Sequence, residues 1–216
     1  MLSYPLGKGV KVALKKSLQK SCLKILLKDK AILINNHFVY TSGKHGSYYV
    51  NKDSLYLHPK DVSKLCHLIA NHFHHKRIDI VVAPVIGGVS LSQWTAYHLS
   101  KLKGKEILAA YAEKKNDEFE FKRGYDKQIR NKSVLVIDDI MTTGGSVKKV
   151  IKAVKKAGGK IVGLAVLCNR GKVTPKQAGN PPELFSLVNL NLLSWSKKKC
   201  PLCQKGIPIN KNYGRG

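Results

Sequence analysis

The 216-residue chain carries 39 Lys and Arg against 13 Asp and Glu, a formal net charge of +26, with 43% hydrophobic and 24% charged residues. That balance argues against a disordered chain and for a single domain with its own core. It contains no run of 18 apolar residues to span a membrane, no secretory signal pattern, and too few cysteines (five) for a disulfide scaffold, so a cytoplasmic location is expected.

The charge favours anionic partners. Of the 39 basic residues 34 are lysines, scattered from Lys8 to Lys211 rather than gathered among aromatics. A nucleic-acid groove is expected to use aromatics and arginine, so the charge reads as a lysine-rich solvated surface and nucleic acid as an unlikely partner. A small polyanionic substrate would still feel the field.

In chain order, residues 10–29 have the spacing of an amphipathic helix, with Leu14, Leu18, Cys22, Ile25 and Leu26 on one face. The stretch 37–57 predicts a hairpin of two aromatic strands about an SGKHGS turn. Pro59 and Asp61 open a helix running to about His75. From residue 78 the pattern alternates: strand 78–83, turn PVIGG at 84–88, helix near 89–102, strand 107–113, a polar stretch 114–132, and a strand at 134–137. A helix at 146–157 is closed by Gly158-Gly159, and strands follow at 160–168 and 185–190. Strands alternating with helices predict an α/β fold, a parallel sheet flanked by helices, with a small N-terminal helix-plus-hairpin hood. The expected division is a hood over 1–58, a core over 59–192 and a lysine-rich tail over 193–216.

The chain is organised around residues 133–150, SVLVIDDIMTTGGSVKKV. A buried strand runs into Asp138 and Asp139, expected where the strand leaves the sheet, and then into Thr142, Thr143, Gly144, Gly145 and Ser146 at a helix start. Glycines let successive N–H groups face one anion, and the helix terminus adds its dipole, so this turn suits a phosphate. Taken alone, the turn could equally be a helix cap and the acid pair a metal pocket. Gly87 and Gly88, ending strand 78–83, would admit a second anion, or form a plain turn. The charged segment 113–125 reads as a lid whose lysines neutralise a leaving anion, or as an exposed hairpin in which Phe119 and Phe121 alternate with glutamates; the two are compatible. Cys200 and Cys203 make one C-x-x-C, half of a structural zinc set; a turn-forming role is preferred, with a site completed by Cys168, a histidine or a second subunit as the alternative.

The window from Val134 to Ser146 resembles the phosphoribosyl-pyrophosphate (PRPP) signature of type I phosphoribosyltransferases. TSGKHGSYYVNKD, AEKK, KRGY, VIDDIMTTGGSV and LCNRG, in this order, resemble the orotate phosphoribosyltransferases, in the branch whose tail carries CPLC. The resemblance implies transfer of a phosphoribosyl group from Mg-PRPP to orotate, giving orotidine 5′-monophosphate and pyrophosphate, usually in a homodimer. It implies no metal ligand from the protein, Mg²⁺ being held through PRPP. It puts the ribose hydroxyls on Asp138 and Asp139, and the 5′-phosphate on Thr142, Thr143, Gly144, Gly145 and Ser146. It puts pyrophosphate by Gly87 and Gly88, orotate on Thr142 and Arg170, and Lys114 on the leaving pyrophosphate, with Lys114, Asp138 and Asp139 catalytic. Departures from the family pattern are Thr41 where lysine is common, and Glu113-Lys114 followed by Asp117 on the lid, with Arg123 a replacement for the missing charge. Another base, or a PRPP-sensing regulator that binds nucleic acid, are the alternatives.

Overall fold

The structure is a computed structural model and describes residues 16–40, 42–190 and 193–213. The predicted N-terminal helix is described from Lys16 as α1 (Lys16–Lys28), which buries Cys22, Leu23 and Leu26; its earlier part, with Leu14, lies outside the described residues. The expected hairpin over 37–57 is shorter than its aromatic pattern suggests. Strand β1 (Ile32–Leu33) pairs with β4 (Tyr49–Val50), whereas β2 (Phe38–Val39) pairs with β3 (His45–Gly46), all antiparallel. The residues read as the end of the second strand form a helix, α2 (Lys52–Tyr56). Asp53 suits its first turn and Leu55 is buried, so local helix chemistry overrides the aromatic alternation here.

Helix α3 (Pro59–Phe73) then packs Val62, Leu65, Ile69 and Phe73 inward, as their spacing predicts. The remaining elements are β5 (Ile80–Pro84), α4 (Gly88–Lys103), β6 (Leu108–Lys115), β7 (Glu118–Glu120), α5 (Tyr125–Ile129), β8 (Ser133–Met141), α6 (Gly145–Lys156), β9 (Lys160–Asn169), β10 (Leu184–Asn189) and α7 (Pro201–Gln204). Six of the strands form one sheet in the order β10-β9-β8-β5-β6-β7, parallel throughout except for the β6–β7 hairpin. Side chains alternate across it and feed two cores. Val81, Leu135 and Ile137 meet α1, α3 and α4 on one face; Ile80, Val82, Val134 and Val136 meet α6 on the other. No described helix is long and apolar enough to cross a membrane.

Two predicted boundaries change. Strand β8 continues past the acid pair, with Ile140 and Met141 still paired to Cys168 and Asn169 of β9, so Asp138 and Asp139 lie inside the strand rather than at its exit. The polar stretch 114–132 is ordered: β6 carries on through Lys115, Asn116 and Asp117 turn with φ of 45° and 64°, and β7 returns. Phe119 and Phe121 pack on the α6 side of the sheet, which is why so polar a segment folds back.

The tail returns to the N-terminal strands. Trp195 and His45 exchange backbone hydrogen bonds of 2.8 and 2.9 Å, and the Asn210 N–H donates to the His37 carbonyl at 2.7 Å. Cys200 and Cys203 thereby meet His37 and His45; Cys168, in β9, is not part of that group.

Candidate active site

Strand β5 pairs with β8 only as far as Val82 opposite Val136, and with β6 on its other side. From β5 the chain passes to β6 on one side, and from β8 to β9 on the other. Such a switch point opens a crevice at the strands' carboxyl ends. Both segments singled out as anion seats, 84–88 and 138–146, lie there.

The buried acid pair divides its work. Asp139 Oδ2 accepts from the Tyr56 hydroxyl at 3.0 Å and sits 3.1 Å from Lys52 Nζ, while Oδ1 takes the Ile140 N–H at 2.6 Å. Asp138 Oδ1 accepts the Asp139 N–H at 2.9 Å. Burial, and then the adjacent Asp139 carboxylate, push Asp138 well above the ordinary carboxylate range. Burial pulls the Lys52 ammonium down, but the carboxylates of Asp139 and Asp138 outweigh it and hold Lys52 above its usual value. Burial also raises the Tyr56 phenol, with Asp139 adding to it, so Tyr56 stays a hydrogen-bond donor. Sequence reading missed Lys52 and Tyr56 because α2 was taken for strand. Their i, i+4 spacing, one helical face, was the available signal.

Asp138 lines a small open cavity of about 120 Å³ with the turn from Thr142 to Ser146. Gly144 caps α6 with φ of +81°, a conformation side chains resist, and a Cβ there would also strike Val173 at 2.8 Å. A Cβ on Gly145 would meet nothing closer than Thr143 Oγ1 at 3.5 Å, so the space over Gly145 is open. Thr142, Thr143 and Ser146 are exposed, and the Thr143 hydroxyl accepts the Gly145 N–H at 3.4 Å, which holds it at the mouth of the turn. The β5 turn approaches from across the crevice: a Cβ on Gly87 would lie 2.1 Å from Asp139 Oδ2 and 2.9 Å from the Tyr56 hydroxyl. Gly88 differs. It is pressed against Ala83 at 2.6 Å, so its lack of a side chain serves strand–helix packing.

Arg170 follows β9, its N–H donating to the Met141 carbonyl at 3.0 Å, which sets it next to Thr142. The guanidinium carbon lies 5.9 Å from the centre of the Tyr40 ring, on the hairpin side of the crevice. Asn169 fixes the chain beyond, accepting the Val173 N–H and donating to the Val173 carbonyl, each at 3.0 Å. Lys114 is not brought to the crevice. It is exposed in β6, 3.6 Å from Asp117, rather than opening a loose lid after the strand. The hairpin rests on α6 through Asp117–Lys149 at 2.5 Å and Glu118–Lys152 at 2.9 Å. Arg123 pairs with Glu113 at 3.3 Å; Thr41 lies outside the described residues.

An acid pair and a glycine turn sharing one switch-point crevice define a class. A family model described as "Phosphoribosyl transferase domain" matches residues 51–196. The chain is 33% identical to an orotate phosphoribosyltransferase of Chlorobium phaeobacteroides over 187 residues, covering 86% of this chain and 91% of the relative. It is 35% identical to that of Caldanaerobacter subterraneus over 190 residues, 87% and 94% of the two chains. The solved Mycobacterium tuberculosis orotate phosphoribosyltransferase in complex with PRPP superposes with a TM-score of 0.61 at 19% identity, over 80% of this chain and 96% of that one, a likeness of fold. The chain belongs to the orotate phosphoribosyltransferase family of phosphoribosyl transferase domains.

Proposed function

We propose that this chain transfers the 5-phosphoribosyl group of PRPP to orotate, giving orotidine 5′-monophosphate and pyrophosphate, in pyrimidine biosynthesis. The observation that carries the reading is the acid pair and open glycine turn of β8, facing Gly87 of the β5 turn across one crevice. On this reading the 5′-phosphate sits over Gly145, cradled by Thr142, Thr143, Gly144 and Ser146. The ribose hydroxyls hydrogen-bond to Asp138 and Asp139, and pyrophosphate lies toward Gly87 and Gly88.

Bond cleavage follows from charge. The C1–O bond to pyrophosphate breaks, C1 becomes oxocarbenium-like, and a ring nitrogen of orotate closes the new C1–N bond, its N–H proton passing to water or to the departing pyrophosphate; the orotate carboxylate keeps the base anionic throughout. The Asp139 carboxylate beneath the sugar offsets the positive charge, and Asp138 and Asp139 together fix the sugar's hydroxyls. Lys52 and Tyr56 hold Asp139 so that it presents a fixed acceptor. Arg170 clamps the orotate carboxylate bidentately, with Thr142 beside it. Lys114 meets the departing pyrophosphate once the tip of the β6–β7 hairpin moves off α6; the exposed ion pairs of Asp117 and Glu118 resist that movement little, while Phe119 and Phe121 keep the base of the hairpin packed.

The crevice fits Mg²⁺ held through PRPP rather than by direct protein ligands: Asp139 is already engaged by Lys52 and Tyr56, and Asp138 keeps its proton to higher pH than an ordinary carboxylate. Mg²⁺ keeps several waters and binds readily through substrate phosphates, whose oxygens it would neutralise. The working form on this reading is a cytoplasmic homodimer. A base-by-base assay of pyrophosphate release from PRPP and Mg²⁺ tests the proposal. Orotate is expected to support turnover and adenine, guanine, hypoxanthine and uracil to fail; turnover with one of those in place of orotate would overturn it.

A further inference from the structure

Four residues that this chemistry does not use converge where the tail meets the β2–β3 pair. His37 Nε2 lies 2.7 Å from His45 Nδ1, and 3.7 Å from both Cys200 Sγ and Cys203 Sγ. Cys203 Sγ lies 3.4 Å from His45 Nδ1, and the four donor atoms all fall within 4.8 Å of one another. His37, His45 and Cys200 are buried and Cys203 half-buried. The sequence brings them from two places about 160 residues apart, an H-x7-H spanning one hairpin and a C-x-x-C at the start of α7.

The distances match a metal's coordination shell. Tetrahedral zinc, with bonds of about 2.0–2.1 Å to nitrogen and about 2.3 Å to sulfur, separates nitrogen from sulfur ligands by roughly 3.5 Å. The nitrogen–sulfur separations here are 3.4 and 3.7 Å. Only the two nitrogens are closer than the roughly 3.3 Å such a shell requires. Proton placement accounts for that contact. His37 Nδ1 lies 2.7 Å from the Ile207 carbonyl, which can only accept, so Nδ1 carries the hydrogen and Nε2 of the neutral ring presents its lone pair to the cluster. The 2.7 Å contact then needs the hydrogen of His45 on Nδ1, where a metal would replace it. The Ile207 contact is also what a zinc-bound histidine usually makes with its second nitrogen, orienting the ring. Backbone turns follow both cysteines: the Gln204 N–H donates to the Cys200 carbonyl at 3.1 Å, and the Gly206 N–H to the Cys203 carbonyl at 3.0 Å. Both sulfurs are thus held toward the histidines.

We propose that His37, His45, Cys200 and Cys203 form a structural Cys₂His₂ zinc site that clamps the C-terminal tail to the β2–β3 hairpin. Four protein ligands fill the tetrahedron and leave no position for substrate, so the ion acts on folding. Binding deprotonates both thiols, shifts the His45 ring proton from Nδ1 to Nε2 so that both histidines coordinate as neutral rings, and changes no oxidation state.

Full-length protein purified under reducing conditions without chelator should hold about one zinc per chain. Loaded instead with Co²⁺, it should show the intense visible absorption of a tetrahedral thiolate centre. Cys203→Ser and His45→Asn should each lose the metal. Stripping the wild type should lower Tm by roughly 5–15 °C, whereas Cys200→Ser/Cys203→Ser should no longer respond to chelator. If the variants do not fold, the metal content and Co²⁺ spectrum of the wild type decide. A wild type that takes up neither Zn²⁺ nor Co²⁺, or a Cys200→Ala/Cys203→Ala protein that keeps its zinc, would overturn the site.

Discussion

The crevice between β5 and β8 and the junction between hairpin and tail both gather buried polar groups, by opposite routes. In the crevice, the acid pair and the glycine turn are contiguous in sequence, so one strand–turn–helix sets their geometry. At the junction, His37 and His45 lie far in sequence from Cys200 and Cys203, and the tertiary fold alone brings them together. The crevice leaves open space over Gly145; the junction packs its four donors against one another. A site meant for a substrate keeps a vacancy on a rigid strand end, whereas a site meant to hold the chain together closes on itself. Tyr40 connects them, since it follows β2 directly and its ring lies beside Arg170.

The comparison breaks if substitutions in one region disturb the other. The largest effect is expected at Arg170. Arg170→Leu leaves an orotate carboxylate unpaired in a half-buried site, a loss of about 2–5 kcal/mol, or roughly 30- to 5,000-fold in kcat/KM for orotate. Metal content and Tm should hardly move; orotate turnover near that of the wild type would remove Arg170 from the base site. Next comes Lys114→Ala. Charge on pyrophosphate grows only as the C1–O bond breaks, so kcat should fall by about 10²–10³ with a smaller change in the KM for PRPP. A large KM change with kcat intact would contradict that role.

The smallest effect has the opposite sign for stability. Asp138 titrates higher in the folded chain than in the unfolded one, so the folded state holds its proton to higher pH. Stability from this group is present at acid pH and declines as pH rises from the ordinary carboxylate range through the folded value. Asp138→Asn should therefore raise Tm at pH 8 by roughly 2–6 °C, and less at pH 4, while lowering turnover. A Tm gain that does not grow with pH would mean that the buried charge is not what strains the site.

Legibility in the sequence followed the same division. Apolar strands such as IVVA and VLVI, and helices with spacing as regular as that of α3, are visible because burial on a sheet or helix face imposes a period. The strand–turn–helix from Asp138 to Ser146 was legible because its parts are adjacent. Helix α2 was not: five residues are too few for a period to outweigh the tyrosines and valine before it, and Lys52 and Tyr56 were lost with it. The hairpin at 113–120 was in view through the alternation of Phe119 and Phe121 with glutamates, but its attachment to the core was not, because its anchors, Lys149 and Lys152, lie on α6. CPLC showed half of a ligand set; the other half was in view as His37 and His45, but nothing local says that a tail will return to a hairpin.

The most direct measurement of the central claim is a PRPP titration by calorimetry on the wild type, Gly145→Val and Thr143→Val. A Cβ at Gly145 enters open space, so the valine should fold normally while filling the phosphate's place; Thr143→Val removes a donor beside it. Each variant should bind PRPP at least about tenfold more weakly, the cost of one to two lost hydrogen bonds to a charged group, with its zinc content unchanged. If both fold and bind PRPP as tightly as the wild type, the β8 turn is not the phosphate seat and the account of the crevice fails.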